Sequence, residues 1–452
     1  MTTEHTRTRD VIPLGEATKA WFAISLQTFG GPAGQIAVMQ HKLVDEKRWI
    51  GQKRFLHALN YCMLLPGPEA QQLAIYVGWL LNGTLGGLIA GTLFVLPGML
   101  ALLALSALYV GAGSTAAVTG LFAGLAPAVI AIVIQAVHRV GKRALHHPAL
   151  VAMAVGSFLA LTVFKVSFPV VILAAGLLGW LLSRRIPELA AGKAHGGTAD
   201  GPEPLISDEA LHHEPPSHAR SAKVLLLGLV LWFTPVAAAA VVFTRNSVFV
   251  DQGLFFSGAA VVTFGGAYAV LSYVAHQAVS VYGWLKAGEM VRGLALAETT
   301  PGPLIMVVQF VAFVGAYRNP GDLDPWAAAV LASLLVTWVT FVPCFLFIFL
   351  GAPYVERLRN NHHLTAALTG ITAAVVGVIA NLAVFFALHT LFDRSRQVTW
   401  GPVDLDIPIL SSADPVAFGI TAIALGLIFG RKWSTLRTLG VCAVLGLAST
   451  LI

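Results

Sequence analysis

Apolar runs of about 17 to 25 residues, divided by short polar breaks, occupy most of the chain. Clear examples are 85–109, 121–137, 224–242, 326–350 and 371–391. None alternates polar and apolar positions as a barrel strand must, so the pattern predicts transmembrane helices. Segments fall at 18–40, 60–83, 84–110, 118–138, 148–164 and 168–183, with counterparts after residue 253 and one unmatched segment at 224–242. Positions 1–14 are polar, so no cleavable leader is expected and the first segment doubles as the insertion signal. The stretch 186–223 is rich in Gly, Pro, Ser and His and has no apolar period, which predicts a flexible linker. The expected organisation is 1–185, a linker at 186–222, and 223–452.

Composition agrees. The chain is 57% apolar and 11% charged, with a mean hydropathy of +0.77; a soluble protein carries roughly 25% charged residues. A soluble enzyme is excluded. The net charge of +6 resides mainly in short loops such as 42–54, 139–143 and 184–185, where it bears on orientation before it bears on nucleic acid. No nucleic-acid partner is expected. Cys62, Cys344 and Cys442 stand alone in apolar segments and read as small buried hydrophobes. His195, His212, His213 and His218 in the linker read as tolerated polar residues rather than a metal site.

The chain repeats itself. Phe29-Gly30-Gly31 recurs as Phe264-Gly265-Gly266, and in the same register His41 meets His276, Trp49 meets Trp284, and Pro66-Gly67-Pro68 meets Pro301-Gly302-Pro303. After a shift near Arg318, Pro97 meets Pro343, Gly124 meets Gly370 and Gln135 meets Asn381. The expected fold is an all-α polytopic membrane protein of two internal, inverted repeats with broken or re-entrant helices and about 11–13 membrane segments. If every segment crosses, the odd extra segment inverts the second copy; if only the two Pro-Gly-Pro segments are re-entrant, the copies come out parallel. Lys/Arg counts do not separate these orientations.

The four glycine-proline interruptions carry the candidate chemistry. A break in mid-segment frees backbone groups that survive only beside protein or a wet cavity. Pro32 and Pro68 suit the first position of a new helix, so the following amides, at Ala33, Gly34 and Gln35 and at Glu69, Ala70 and Gln71, would face the break. Helix starts with unpaired donors attract anions. The candidate binding residues are Gly30, Gly31, Pro32, Gly34, Gln35, Pro66, Gly67, Pro68, Glu69 and Gln72, then Gly265, Gly266, Thr300, Pro301, Gly302 and Pro303. Four such starts near a pseudo-symmetry axis suit a small dianion. Gln71, Thr299 and Gln309 offer further neutral groups, which serve equally as interhelical glue.

Ionisable residues at membrane depth are costly and usually functional. Glu69 and Glu298 are therefore candidate proton-coupling groups, although they do not occupy equivalent positions: Glu69 aligns with Leu304 and Glu298 with Met63. His41 and His276, beyond the Phe-Gly-Gly helices, are candidate pH-responsive gates. No phosphate-binding loop, zinc-protease motif or nucleophile elbow is present. Neither an enzyme nor a cofactor is expected.

The segments FGGPAGQIAVM (29–39), LPGPEAQQLAIYVGW (65–79) and AETTPGPLIMVVQFVAFVGAY (297–317) together resemble the chromate ion transporter family in its long, two-domain form. The resemblance covers the chain apart from its termini and linker. It implies a multi-pass protein of the bacterial inner membrane that exports chromate, a tetrahedral dianion similar to sulfate, on the proton gradient or the membrane potential. Import or exchange of sulfate, or a passive anion channel, are the rival readings, and a homodimer stays open. The second glycine element departs from the first, with Ala267 in place of proline and Val270 in place of glutamine, so binding chemistry is expected to concentrate in the first half.

Overall fold

The computed structural model of the chain describes residues 12–186, 204–207, 210–212, 214–244, 247–355 and 362–450. His195 and His213 lie outside them. Apolar sequence with few strand-forming runs gives helices nearly throughout. The first half contains α1 (Leu14–Ser25), α2 (Gly31–Gln40), α3 (Gln52–Cys62), α4 (Glu69–Ala112), α5 (Ala116–Ala144), α6 (Pro148–Thr162) and α7 (Phe168–Ser183). The unmatched segment is α8 (His218–Val242). The second half contains α9 (Val248–Val262), α10 (Ala267–His276), α11 (Ala287–Thr299), α12 (Val307–Arg318), α13 (Pro325–Gly351), α14 (His362–Leu391), α15 (Pro415–Leu425) and α16 (Thr435–Ser449). A hairpin of β1 (Ser395–Trp400) and β2 (Val403–Pro408) follows α14. Its signal was the β-branched stretch around a Gly-Pro turn at Gly401, which apolar-run counting passes over.

Among the described residues five helices are long and apolar enough to cross a membrane, Glu69–Ala112, Ala116–Ala144, His218–Val242, Pro325–Tyr354 and His363–Leu391, and shorter apolar helices join them. The elements after Val248 follow the order of those after Leu14, down to a one-turn π-helix behind α2 (His41–Glu46) and behind α10 (Gln277–Val281).

The apolar segments that carry the breaks fold back on themselves. Lys47, past the end of α2, lies 3.3 Å from Glu16 in the first turn of α1, so α1 and α2 form a hairpin. The next pair does the same: Tyr61 of α3 meets Tyr76 of α4 at 5.1 Å between ring centroids. Asn82 Nδ2 donates to the Ile12 carbonyl at 2.6 Å, which returns the first stretch of α4 to the end of the bundle where α1 begins. There α4 leaves helical geometry at Asn82 and Gly83. Its second stretch, 84–112, then runs to the opposite end, where Tyr109 donates to Glu289 at 3.2 Å.

The second-half hairpins open at that opposite end. Arg318, closing α12, makes a two-pronged bond of 2.7 and 2.6 Å with Glu289 in the first turn of α11. These contacts of Lys47, Glu16, Glu289 and Arg318 lie at the ends of the bundle, and the glycine-proline tips lie inside. Because both hairpins of each half fold back, the two halves open at opposite ends. That geometry differs from the parallel arrangement expected when the Pro-Gly-Pro segments alone turn back.

Most interior side chains gather in two large clusters, one with Trp21, Phe55, Trp79 and Phe94, the other with Phe256, Phe310 and Phe386. Close crossings depend on glycine. Gly124 of α5 abuts Gly446 of α16, and Gly370 of α14 abuts Gly179 of α7, so each half's last helix packs on the other half. Part of the predicted linker is fastened: Leu205 N donates to Arg48 O at 2.7 Å and His212 N to Leu80 O at 2.8 Å, with Ile206 and Leu211 buried.

Candidate functional site

The four tips meet crosswise. Gly67 N, in the first Pro-Gly-Pro, donates to the carbonyl of Thr263 at 2.8 Å, one residue before the second Phe-Gly-Gly. Gly302 N, in the second Pro-Gly-Pro, donates to the carbonyl of Thr28 at 2.9 Å, one residue before the first. Backbone freed by each break is therefore taken up by the break of the opposite half, which is how such interruptions persist in an apolar interior. Gly30, Gly31, Gly67, Gly265, Gly266 and Gly302 all have positive φ, between 74° and 121°, a region that side chains with a Cβ rarely enter.

The tips sit at mid-bundle. A Cβ on Gly302 would lie 3.3 Å from the Phe94 carbonyl, and one on Gly98 would run into the Pro301 carbonyl; Phe94 and Gly98 are in the middle of the second stretch of α4. The first Pro-Gly-Pro is backed in the equivalent way by α13, where Cys344 Sγ lies 3.2 Å from the Cβ position of Gly67. Pro97-Gly98 and Pro343-Cys344 are the aligned pairs of the two halves.

Helices start at these breaks as the prolines predict, with small differences. Gly30 caps α2, which begins at Gly31 with Pro32 inside its first turn. Pro68 is the cap of α4 rather than its first residue, and the helix begins at Glu69. Behind the second Pro-Gly-Pro, Pro303 leads into a 3₁₀ turn (Leu304–Met306) before α12. No side chain caps α2, α4 or α10; α1, α3, α7, α9 and α16 also lack one, while Thr115, Asp324 and Asp414 cap α5, α13 and α15. First-turn amides of the tip helices thus lack side-chain acceptors.

Amide side chains brace the tips. Gln35 Nε2 donates to Gly302 O at 2.5 Å and Gln72 Nε2 to Pro66 O at 2.6 Å. Gln309 Nε2 donates to Met99 O at 3.1 Å. Thr299 and Thr300 bond back to their own helix. Gly34 is needed for the turn, since a Cβ there would lie 2.6 Å from Phe29 O. Several buried polar atoms lack any partner among the described residues: both amide ends of Gln71, Gln72 Oε1, Gln309 Oε1 and Thr340 Oγ1. Thr340 is one turn before Cys344. Others occur away from the tips, at Trp21, Trp79 and Trp232 among them, so what sets the tip atoms apart is their place beside the breaks.

Glu298 is buried, at 2% exposure, and accepts a hydrogen bond from the Tyr268 hydroxyl across the second tip, from α10 to α11. Glu69 is half-buried at the first tip and makes no contact-distance hydrogen bond or ion pair among the described residues. His41 and His276 are not brought to the site. His41 sits at the outer end of α2, 3.5 Å from Asp45, with 67% of its side chain exposed, and His276 is exposed at the end of α10. Near His41, Lys42 lies 2.5 Å from Glu46, and that hydrogen bond holds the Glu46 carboxyl below its ordinary range.

Sequence reading missed Tyr268, because its first-half counterpart is Ala33, and missed Thr28 and Thr263, which act only through their carbonyls. It also placed Arg139 and Arg143 in a loop; they lie within α5.

Fold and site together define a multi-pass, predominantly helical membrane protein with broken half-helices meeting at mid-bundle. The chain belongs to the chromate transporter family, whose model matches residues 15–180 and 250–447. It is 32% identical over 437 residues to the chromate transport protein of Pseudomonas aeruginosa, covering 94% of this chain and 89% of that one. It is 29% identical over 368 residues to the chromate transport protein of Cupriavidus metallidurans, covering 81% and 80%. A probable chromate transport protein of Synechococcus elongatus is 27% identical over 427 residues, covering 93% and 96%. No solved structure matches the chain.

Proposed function

We propose that this chain is a secondary active transporter that exports chromate across the bacterial inner membrane, driven by the proton gradient or the membrane potential. The observation that carries the reading is the reciprocal pairing of tips, Gly67 with Thr263 and Gly302 with Thr28. It couples two hairpins that open at opposite ends, as an inverted-repeat transporter requires. Uncapped helix starts at α2 and α4, with the orphaned amide of Gln71 beside them, support an oxyanion as the cargo. Family membership and the curated relatives support chromate as that oxyanion.

Inside-out vesicles containing the full chain test it. Uphill accumulation of chromate is expected on imposing a proton gradient or potential, with collapse on adding an uncoupler. Downhill flux alone would make the protein a channel, and preference for sulfate over chromate would reassign the substrate.

Coupling is assigned to Glu69 and Glu298, the carboxylates closest to the tips. Glu69→Gln with Glu298→Gln is expected to make export rate independent of pH across the range in which the wild type varies. A double variant that keeps the wild-type pH profile would remove both residues from the coupling mechanism.

A further inference from the structure

The four tips form two crossed pairs. The first Phe-Gly-Gly and the second Pro-Gly-Pro are joined twice, by Gly302 N to Thr28 O at 2.9 Å and by Gln35 Nε2 to Gly302 O at 2.5 Å. The second Phe-Gly-Gly and the first Pro-Gly-Pro are joined by Gly67 N to Thr263 O at 2.8 Å. Each pair therefore takes one hairpin from each half. At the tips, the one side-chain hydrogen bond between the pairs among the described residues runs from the Tyr268 hydroxyl to Glu298.

Both ends of that bond sit beside a break. Tyr268 is the second residue of α10, in the first turn after Gly266. Glu298 is in the last turn of α11, just before the second Pro-Gly-Pro. One turn further along α10, Ser272 accepts from Asn381 Nδ2 of α14 at 3.0 Å, which steadies the helix that carries the phenol. Glu298 is buried, and a carboxylate at that depth is costly without a donor. The phenol is that donor. The first half has no equivalent, since Ala33 and Met63 stand at the matching positions.

An ionised carboxylate only accepts, so the phenol must donate to it. Such a charge-assisted bond is roughly twice as strong as one between neutral groups. A proton on Glu298 makes the bond a neutral one and loosens the tie between the pairs. From the elements packed against α11, Glu298 faces Tyr268 of α10 and, through space only, Arg139 of α5. The stretches of α12 and α14 nearest the tips, 304–312 and 371–383, carry no titratable side chain, and Cys442 of α16 packs on Gly124 of α5.

We propose that Tyr268 is the positioning residue of proton coupling: its bond to ionised Glu298 latches the two crossed pairs together, and protonation of Glu298 frees them to move past one another. The inference rests on the transport reading above and deepens it, because it names the contact through which a proton changes the relation of the hairpins.

Infrared difference titration of the purified full chain and chromate flux in vesicles against pH test the latch. The protonated-carboxyl band lost in Glu298→Gln reports Glu298 directly. Tyr268→Phe removes the donor to the carboxylate, so the titration of that band is expected to move up by about one pH unit, a tenfold change in the protonation equilibrium. The midpoint of flux against pH should move up with it, since unlatched tips keep working at higher pH. In a Glu298→Gln background, Tyr268→Phe should leave the flux profile unchanged. Glu298→Asp, which withdraws the carboxyl from the phenol by one methylene, should move band and midpoint in the same direction and serves if Tyr268→Phe inserts poorly. An unmoved infrared titration would overturn the proposal. So would a shifted band with an unmoved flux midpoint, or a uniform loss of rate at every pH, because a bond that only packs the tips gives those results. Downhill flux in the wild type would sink the active-transport reading alone, and its pH midpoint would still judge the latch.

Discussion

Alanine in place of Gly67 is expected to lower chromate flux at least tenfold while the protein still reaches the membrane. The new Cβ would lie 2.8 Å from Gln72 Nε2 and 3.2 Å from Cys344 Sγ, on a backbone with φ of 121°. Strain of this kind costs about 1–3 kcal/mol, and the cheapest relief is to move the tip. Moving it weakens the 2.8 Å bond from Gly67 N to Thr263 O and dislodges Gln72 from the Pro66 carbonyl, at about 1 kcal/mol for each bond. Those energies are small beside the burial that holds the bundle together, so the damage stays local. They are large for a site, where about 1.4 kcal/mol is a factor of ten in rate. Gly302→Ala should act alike from the other half, with its Cβ 3.3 Å from the Phe94 carbonyl. Gly156→Ala, with nothing within 4 Å, is the neutral control. Initial rates at matched protein amounts decide it, and a Gly67→Ala rate near wild type would mean that tip geometry does not limit transport.

How far the sequence reveals this arrangement depends on the residue. Helices were legible because long apolar runs admit little else in a bilayer, and the breaks were legible because Gly-Gly-Pro and Pro-Gly-Pro punctuate a helix wherever they fall. The direction of the chain after each break was not legible. The segments at 18–40 and 60–83 are long and apolar enough to cross; that they turn back is decided by contacts such as Lys47 with Glu16 and Asn82 with Ile12, between residues far apart in the chain.

The site divides in the same way. Gln35 and Gln72 could be named because a lone amide in an apolar run needs a partner, yet their acceptors, the Gly302 and Pro66 carbonyls, carry no side-chain signal. Internal symmetry helped with the glycines and misled with the acids. Glu298 pairs with Tyr268, and the equivalent first-half positions are Met63 and Ala33, so comparing the halves pointed away from the one buried carboxyl–phenol pair at the tips.

Valine in place of Gly124 is expected to destabilise the whole bundle, an effect distinct in kind from that at the tips. Its Cβ would overlap the Cys442 carbonyl oxygen and lie 2.9 Å from Gly446 N, backbone atoms that cannot rotate aside as a side chain would. α16 must then withdraw from α5 along its length. Overpacking costs typically 1–3 kcal/mol where side chains can adjust, and about 3 kcal/mol or more is expected here. The readout is a fall of several degrees in the melting temperature of the detergent-solubilised protein, with reduced yield. Gly370→Val should match it, since its Cβ meets the Ala175 carbonyl and, at 2.8 Å, Gly179 Cα. Gly258→Val, on an open face, should change nothing. The two crossings exchange the last helix of each half, α16 onto α5 and α7 onto α14, so neither half can close its glycine seam alone. Residues 1–185 and 223–452 expressed separately should therefore aggregate in detergent, and co-expression should recover a monodisperse complex. Stable, separate halves would show that the exchange is packing without interdependence.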